Sequence, residues 1–155
     1  MNVNSQSGVS LVHCLVTLTI IGIIAISAFP RFQQALARSY RHAAQADLIA
    51  FAAAMERHHA TTFSYRGAAK GGGDTGTPMI FHGHSPTDKP ARDKLYQLSI
   101  DEVSESGRAY VVRAKPESGS LLGKSGDLFY FSDGRRAWDK NNDGTLSAAE
   151  FCWSC

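Results

Sequence analysis

Residues 11–29 read LVHCLVTLTIIGIIAISAF, and this stretch decides the fold of the chain. It contains no Asp, Glu, Lys or Arg. A helix rises about 1.5 Å per residue, so about 20 apolar residues cross the hydrocarbon core of a bilayer. A core helix of a soluble protein usually keeps a polar stripe, which this stretch lacks. The sequence therefore predicts one hydrophobic helix that spans a membrane.

Residues 31–61 continue this helix, because they contain no Gly or Pro and are rich in Ala. Apolar residues recur here at steps of three or four, which is typical of one helical stripe. The stripe consists of Phe32, Leu36, Tyr40, Ala44, Leu48, Phe51 and Met55. Such an amphipathic half needs a partner that covers its apolar side.

The remainder of the chain supplies that cover. Residues 67–90 are rich in Gly, Pro, Ser and Thr and predict a long irregular loop. Residues 94–103, 109–114 and 127–132 are strand-like, and a turn signal separates the first two. We therefore predict an α+β fold, in which a long N-terminal helix packs on a small antiparallel β-meander.

Composition and motifs argue against an enzyme. The 155 residues suffice for about one small domain besides the hydrophobic helix. The GAAKGGG run lacks the GKS or GKT ending of a phosphate-binding loop. No Ser-His-Asp set or carboxylate pair can be assembled from the sequence order. We expect no catalytic residue and no small-molecule substrate.

Three basic residues lie beside the apolar stretch. Arg31, Arg38 and Arg41 follow it on the same predicted helix. Such residues anchor a spanning helix at the lipid headgroups, and they also suit a stripe that binds DNA. Because the net charge is only +2, no strong field favours nucleic acid, and DNA is an unlikely partner.

Residues 139–150 match a calcium-binding loop of twelve residues. Oxygen ligands recur at alternating positions, a Gly allows the sharp turn, and a carboxylate closes the loop. The predicted ligands are Asp139, Asn141, Asp143, Thr145, Ser147 and Glu150, with Gly144 at the turn. We expect calcium as a structural cofactor that orders the C-terminal tail. The alternatives are a helix capping box formed by Ser147 and Glu150 and an ordinary turn at residues 141–144.

The three cysteines fall in two environments. Cys14 lies inside the apolar stretch, whereas Cys152 and Cys155 are close together near the C-terminus. In an oxidising compartment the last two can form a local disulfide, or they can remain free thiols.

Gly8 is followed by VSLVHCLVTLTIIGIIAISAFP, which resembles the prepilin signature of type IV pilins and type II secretion pseudopilins. The resemblance implies that a prepilin peptidase cuts between Gly8 and Val9 and that Val9 is then methylated. It also implies that Gly22 and Pro30 correspond to the Gly and the Pro of the family's hydrophobic helix. The helix-loop-meander order agrees with the family's fold.

His13 stands where that family nearly always carries a Glu. An imidazole cannot supply the negative charge that the family's Glu offers to the terminal amine of a neighbouring subunit. A polar residue at this depth is costly and often functional. We therefore favour a minor or tip-like subunit, the alternative being that His13 is a tolerated residue near the helix end.

The resemblance sets the expected organisation and function. Residues 1–8 form the leader, residues 9–30 the helix of the membrane and filament core, and residues 31–155 the amphipathic helix and head. The chain is expected to cross the bacterial inner membrane once and then to join other pilin subunits through this helix, with its head in the periplasm or on an extracellular pilus. We predict a structural subunit for pilus assembly, motility or adhesion. The alternatives are a type II secretion pseudopilin and a pilus-surface adhesin or DNA receptor for uptake.

Overall fold

The computed structural model describes residues 10–120 and 122–154. The chain divides into two compact units, Met1–Leu36 and Ala37–Cys155. A single helix, α1 (Leu11–Thr62), contributes residues to both units.

The first unit is the apolar part of α1. In the described part of the chain, α1 is the one helix that is long and apolar enough to cross a membrane. Two of its polar side chains are satisfied locally, since the Thr17 and Thr19 hydroxyls donate to the carbonyls of His13 and Leu15 at 2.7 and 2.9 Å. These bonds leave no unpaired hydroxyl donor at Thr17 or Thr19 to face hydrocarbon. The predicted long helix is confirmed.

The second unit contains a five-stranded antiparallel sheet, with the strands in chain order. The strands are β1 (His84–Ser85), β2 (Tyr96–Val103), β3 (Tyr110–Pro116), β4 (Leu128–Phe131) and β5 (Arg136–Trp138). Three 3-10 turns, Lys70–Gly72, Ala91–Asp93 and Ala148–Glu150, complete the described elements. The predicted α+β arrangement is confirmed.

The three predicted strands correspond to β2, β3 and β4. The sequence reasoning missed β1 and β5, which flank the sheet and contain two and three residues. Strands this short show no alternation of apolar and polar residues, and only their pairing with β2 and β4 defines them.

The core lies between α1 and one side of the sheet. Ala44, Leu48, Phe51 and Met55 are fully buried, so the helical stripe is confirmed from Ala44 onward, whereas Phe32 is exposed. In β2 the buried residues alternate with exposed ones, as a sheet with one covered face requires. Every buried side chain of the described residues lies between residues 44 and 153. A fragment without the apolar part of α1 therefore keeps the whole core.

The long loop is anchored at several points. Gly76 and Ile100 exchange two backbone hydrogen bonds of 2.8 and 2.9 Å. The Thr87 hydroxyl donates to the Asp47 carboxylate on α1 at 2.9 Å. The loop is thereby attached to both the sheet and the helix.

Candidate functional site

One side of the second unit carries arginines that lie on tryptophan rings. The Arg41 guanidinium is 3.9 Å from the centre of the Trp138 ring, and the Arg136 guanidinium is 5.0 Å from that of Trp153. Both distances fall within the reach of a cation–π interaction, about 6 Å. Stacking of this kind restricts the planar side chain without neutralising its charge.

Arg38 belongs to the same side. It precedes Arg41 by three residues on α1 and is exposed, so the two residues are neighbours on the helix surface. None of the salt bridges found among the described residues includes Arg38, Arg41 or Arg136. We call these three arginines, together with Trp138 and Trp153, the basic aromatic face.

Some other cations of the second unit are neutralised at short range. Arg113 pairs with both Asp101 and Asp127 on the opposite side of the sheet. Lys94 forms a salt bridge of 3.1 Å with Glu117. Opposite charges this close leave little field at a distance. The basic aromatic face therefore presents local positive charge on a chain with a net charge of only +2.

The two tryptophans are held in place by their indole N–H groups. Trp138 Nε1 donates to the Ser125 carbonyl at 2.7 Å. Trp153 Nε1 donates to the carbonyls of Phe129 and Ala137, each at 3.2 Å. Buried tryptophans usually satisfy their N–H in this way. Both rings are thus rigid platforms for the arginines above them.

The C-terminal acidic loop is ordered by its own hydrogen bonds. The Asp139 carboxylate, 2% exposed, accepts from the amides of Asp143 and Gly144 at 3.1 and 2.9 Å. The Asn141 amide group donates to Asp143 at 2.8 Å. The Thr145 amide and hydroxyl donate to the same Asp143 carboxylate at 2.8 and 2.7 Å. The structure thus brings the first predicted ligands together in one network.

Glu150 closes this loop by bonding to protein donors. It accepts from the amides of Lys140 and Asn141 at 3.0 and 3.4 Å, and from the Ser147 amide and hydroxyl at 3.0 and 2.7 Å. Ser147 and Glu150 form the capping box that was the alternative interpretation. The hydrogen bonds from Ser147 lower the pKa of the Glu150 carboxyl below its ordinary value.

The oxygen atoms of this loop suit calcium, but their hydrogen bonds within the protein do not leave Glu150 available to an ion. Its donors are hard oxygens, which calcium prefers. A carboxylate offers about four lone-pair positions, and the four hydrogen bonds occupy those of Glu150. Among the described residues, no three His, Cys, Asp or Glu side chains form a group that could hold a metal. Glu150 would have to release Ser147 to bind an ion, and calcium binding stays a prediction.

Two other groups of predicted residues lie at the ends of the chain. Gly8 and Val9 lie outside the described residues, as does Cys155. Cys14 is a free, exposed thiol, and Cys152 is disulfide-bonded. The pairing of Cys152 with Cys155 stays a prediction.

His13, Gly22 and Pro30 all lie on α1, in its apolar part. Each is exposed, and a Cβ added at Gly22 would meet no atom within 4 Å. The helix continues through Pro30. The first unit therefore presents these positions on its surface, and their role in assembly stays a prediction.

Comparison with known families decides the classification. A family model described as "Type IV minor pilin ComP, DNA uptake sequence receptor" matches residues 30–126. The chain belongs to this ComP family of type IV minor pilins. No curated protein and no solved structure matches the chain. The predicted resemblance to minor pilins is thereby confirmed, and type IV pilins are a structural, non-enzymatic class.

The sequence reasoning found only part of the basic aromatic face of this ComP family member. It singled out Arg38 and Arg41 as a candidate stripe but did not connect them with Arg136 or the tryptophans. Arg136 and Trp138 are two residues apart, which in a strand places them on one side. That spacing was the available signal, and the packing of α1 beside β5 could not be read from it.

Proposed function

We propose that this minor pilin binds double-stranded DNA at the surface of a type IV pilus through its basic aromatic face. The observation that carries the proposal is a set of three arginines that form no salt bridge among the described residues, two of which are stacked on tryptophan rings. The family description, a DNA uptake sequence receptor, supports the same ligand. We therefore favour DNA binding over adhesion, although the net charge alone made DNA an unlikely partner.

The chemistry of the face suits a phosphate backbone. A guanidinium can donate two parallel hydrogen bonds to one phosphate, and each neutralised phosphate releases condensed counterions. An arginine already stacked on a ring loses less freedom when it binds. Phosphate contacts position a protein on the duplex but carry no sequence information. The face therefore supplies affinity and orientation, and recognition of a particular sequence would require contacts to base edges.

The direct test is fluorescence anisotropy with a soluble fragment of residues 31–155, which keeps the whole core. Labelled duplexes selected from a random-sequence pool serve as probes, with the single strands of the same sequences for comparison. We expect saturable binding to duplex, with the logarithm of affinity falling linearly with the logarithm of salt concentration. No binding of any selected duplex at low salt would refute the proposal.

We also propose how the subunit enters the pilus. Peptidase cleavage between Gly8 and Val9 would free the apolar part of α1 from its leader, and this part would move from the inner membrane into a bundle of other pilin helices. Membership of a type IV pilin family and the apolar helix support this route. The same membership favours a pilus over a type II secretion pseudopilus. An intact mass that begins at methylated Val9 in purified filaments is expected, and a mass that retains Met1 would contradict cleavage.

Calcium binding at residues 139–150 is our third proposal, with a structural role. The oxygen-rich network around Asp139 and Asp143 supports it. At ten times its Kd, calcium would stabilise the folded state by about 1.4 kcal/mol. Millimolar calcium should therefore raise the melting temperature of the 31–155 fragment, and Asp143→Ala should abolish the rise. Magnesium at the same concentration is the control, and an unchanged melting temperature in calcium would contradict the proposal.

A further inference from the structure

Phe63 combines two features that are both unfavourable in an isolated chain. It directly follows α1, and its side chain is 85% exposed to solvent. Its φ is 59°, in the left-handed region that favours glycine and in which a bulky aromatic residue is an outlier. Glycine would end the helix there without strain and without exposing an aromatic ring. Strain of this kind, once observed, points to a role outside folding.

The backbone on both sides of Phe63 is held firmly. The Phe63 amide donates to the His59 carbonyl at 2.7 Å, and the Tyr65 amide donates to the Gly107 carbonyl at 2.9 Å. Ser64 packs so closely on the β2–β3 turn that a Cβ at Gly107 would lie 2.3 Å from its hydroxyl oxygen. The exposed ring therefore projects from a rigid support.

The surroundings of Phe63 are polar and carry charges of both signs. Arg57, Arg66 and Arg108 are exposed on the adjoining helix end and turn, and Arg66 donates to the Glu105 carbonyl at 2.5 Å. Arg66 also forms a salt bridge of 3.7 Å with Asp74.

The nearest acid on α1 is already engaged. The Glu56 carboxylate accepts hydrogen bonds from the hydroxyls of Tyr65 and Tyr110 at 2.9 and 3.1 Å. Arg57 and Arg108 form none of the salt bridges found among the described residues, so their positive charges are complementary to a polyanion with stacked bases.

We propose that Phe63 is a wedge that inserts between base pairs of duplex DNA, an inference that rests on the proposed function. Architectural proteins partly unstack base steps with single apolar side chains of this type. From Arg41 to Phe63 the chain advances by about 33 Å along α1, which is close to one turn of B-DNA, about 34 Å. The distance between Arg41 and Phe63 thus matches one turn of a duplex that lies along α1.

A protein partner fits Phe63 less well. Its sequence neighbours Thr61, Thr62 and Ser64 are polar, so this stretch of chain offers no second apolar side chain beside the ring. Specific protein interfaces usually bury more than about 1,000 Å² around an apolar centre. A single ring among arginines and hydroxyls suits insertion into a stack of bases.

The test uses the full-length chain in detergent and a selected duplex about two turns long. The fluorescent adenine analogue 2-aminopurine replaces each adenine in turn, because its emission rises when it is unstacked. We expect a rise at one base step. Phe63→Gly should abolish this rise and weaken binding about tenfold, a size typical of a lost aromatic–base contact, while the melting temperature stays equal or increases because glycine accepts a positive φ.

Two matched variants complete the design. Phe63→Leu should keep the fluorescence rise, because leucine also acts as a wedge. Met79→Ala removes another exposed apolar side chain and should change neither signal. Duplex binding without any fluorescence rise, or unchanged signals in Phe63→Gly, would overturn the wedge and leave DNA binding intact. If the unmodified protein binds no duplex, both proposals fail.

Discussion

Neutralising two arginines of the basic aromatic face should flatten the salt dependence of DNA binding. The change is Arg38→Gln with Arg136→Gln, which keeps polar side chains and removes two charges. Arg136 contributes a cation–π contact with Trp153 that is worth about 0.5–1 kcal/mol at an exposed site, so the variant is expected to fold. The effect should therefore appear in binding and not in the structure.

The size of the effect follows from counterion release. Each neutralised phosphate contributes about 0.9 to the slope of log affinity against log salt, so the loss of two contacts lowers the slope by about 1.8. Between about 50 and 200 mM salt, the unmodified protein should then lose about twelvefold more affinity than the variant.

The assay is anisotropy across a salt series on one selected duplex. The matched control is Lys115→Gln with Lys124→Gln, which makes the same charge change at two exposed residues outside the basic aromatic face. Melting temperatures of all three proteins check the fold. Equal slopes for the variant and the unmodified protein, or an equal fall in slope for the control, would refute the reasoning.

Three further predictions concern stability. Hydrogen bonds from Ser147 lower the folded-state pKa of Glu150. The stability that Glu150 contributes is therefore present above its ordinary pKa of 4.5 and is lost as the pH falls through the lowered value. Trp153 fluorescence should follow this loss, and Glu150→Gln should remove the pH dependence of the loss. Gly126→Ala should lower the free energy of unfolding in urea by more than about 4 kcal/mol, since its Cβ would lie 1.6 Å from the Asp139 carbonyl oxygen. An unchanged midpoint of the urea transition would contradict this geometry. Leu48→Ala should lower the free energy of unfolding by about 2–5 kcal/mol in the same assay, because Leu48 is fully buried. Ile49→Ala, at an exposed neighbour, should lower it by less than about 1 kcal/mol.

Most of the fold was predicted from the periodicity of apolar residues along the sequence. Four residues of the helical stripe, from Ala44 to Met55, are fully buried, and the alternation in β2 places its apolar residues inside. These patterns are local, so one sequence suffices to read them. The strands β1 and β5 were missed because short strands take their definition from their partners and not from their own residues.

The candidate site was predictable only in pieces. Arg38 and Arg41 were visible as a stripe on a helix, and Ser147 and Glu150 as a capping box. The contact between Arg41 and Trp138 joins residues 97 positions apart in the chain, at 3.9 Å. No spacing rule connects residues so distant, because their approach depends on how β5 packs beside α1.

The sequence by itself determined the apolar helix, the amphipathic stripe and the segments of β2, β3 and β4, because each follows from side-chain hydrophobicity at fixed local periods. It also determined the acidic character of residues 139–150. Only the tertiary structure decided what the charges do. Packing satisfied Glu150 with protein hydrogen-bond donors, paired Arg113 with two carboxylates, and placed Arg41 and Arg136 on indole rings. The net effect of a charge depends on its nearest neighbours in space, and the chain order does not specify them.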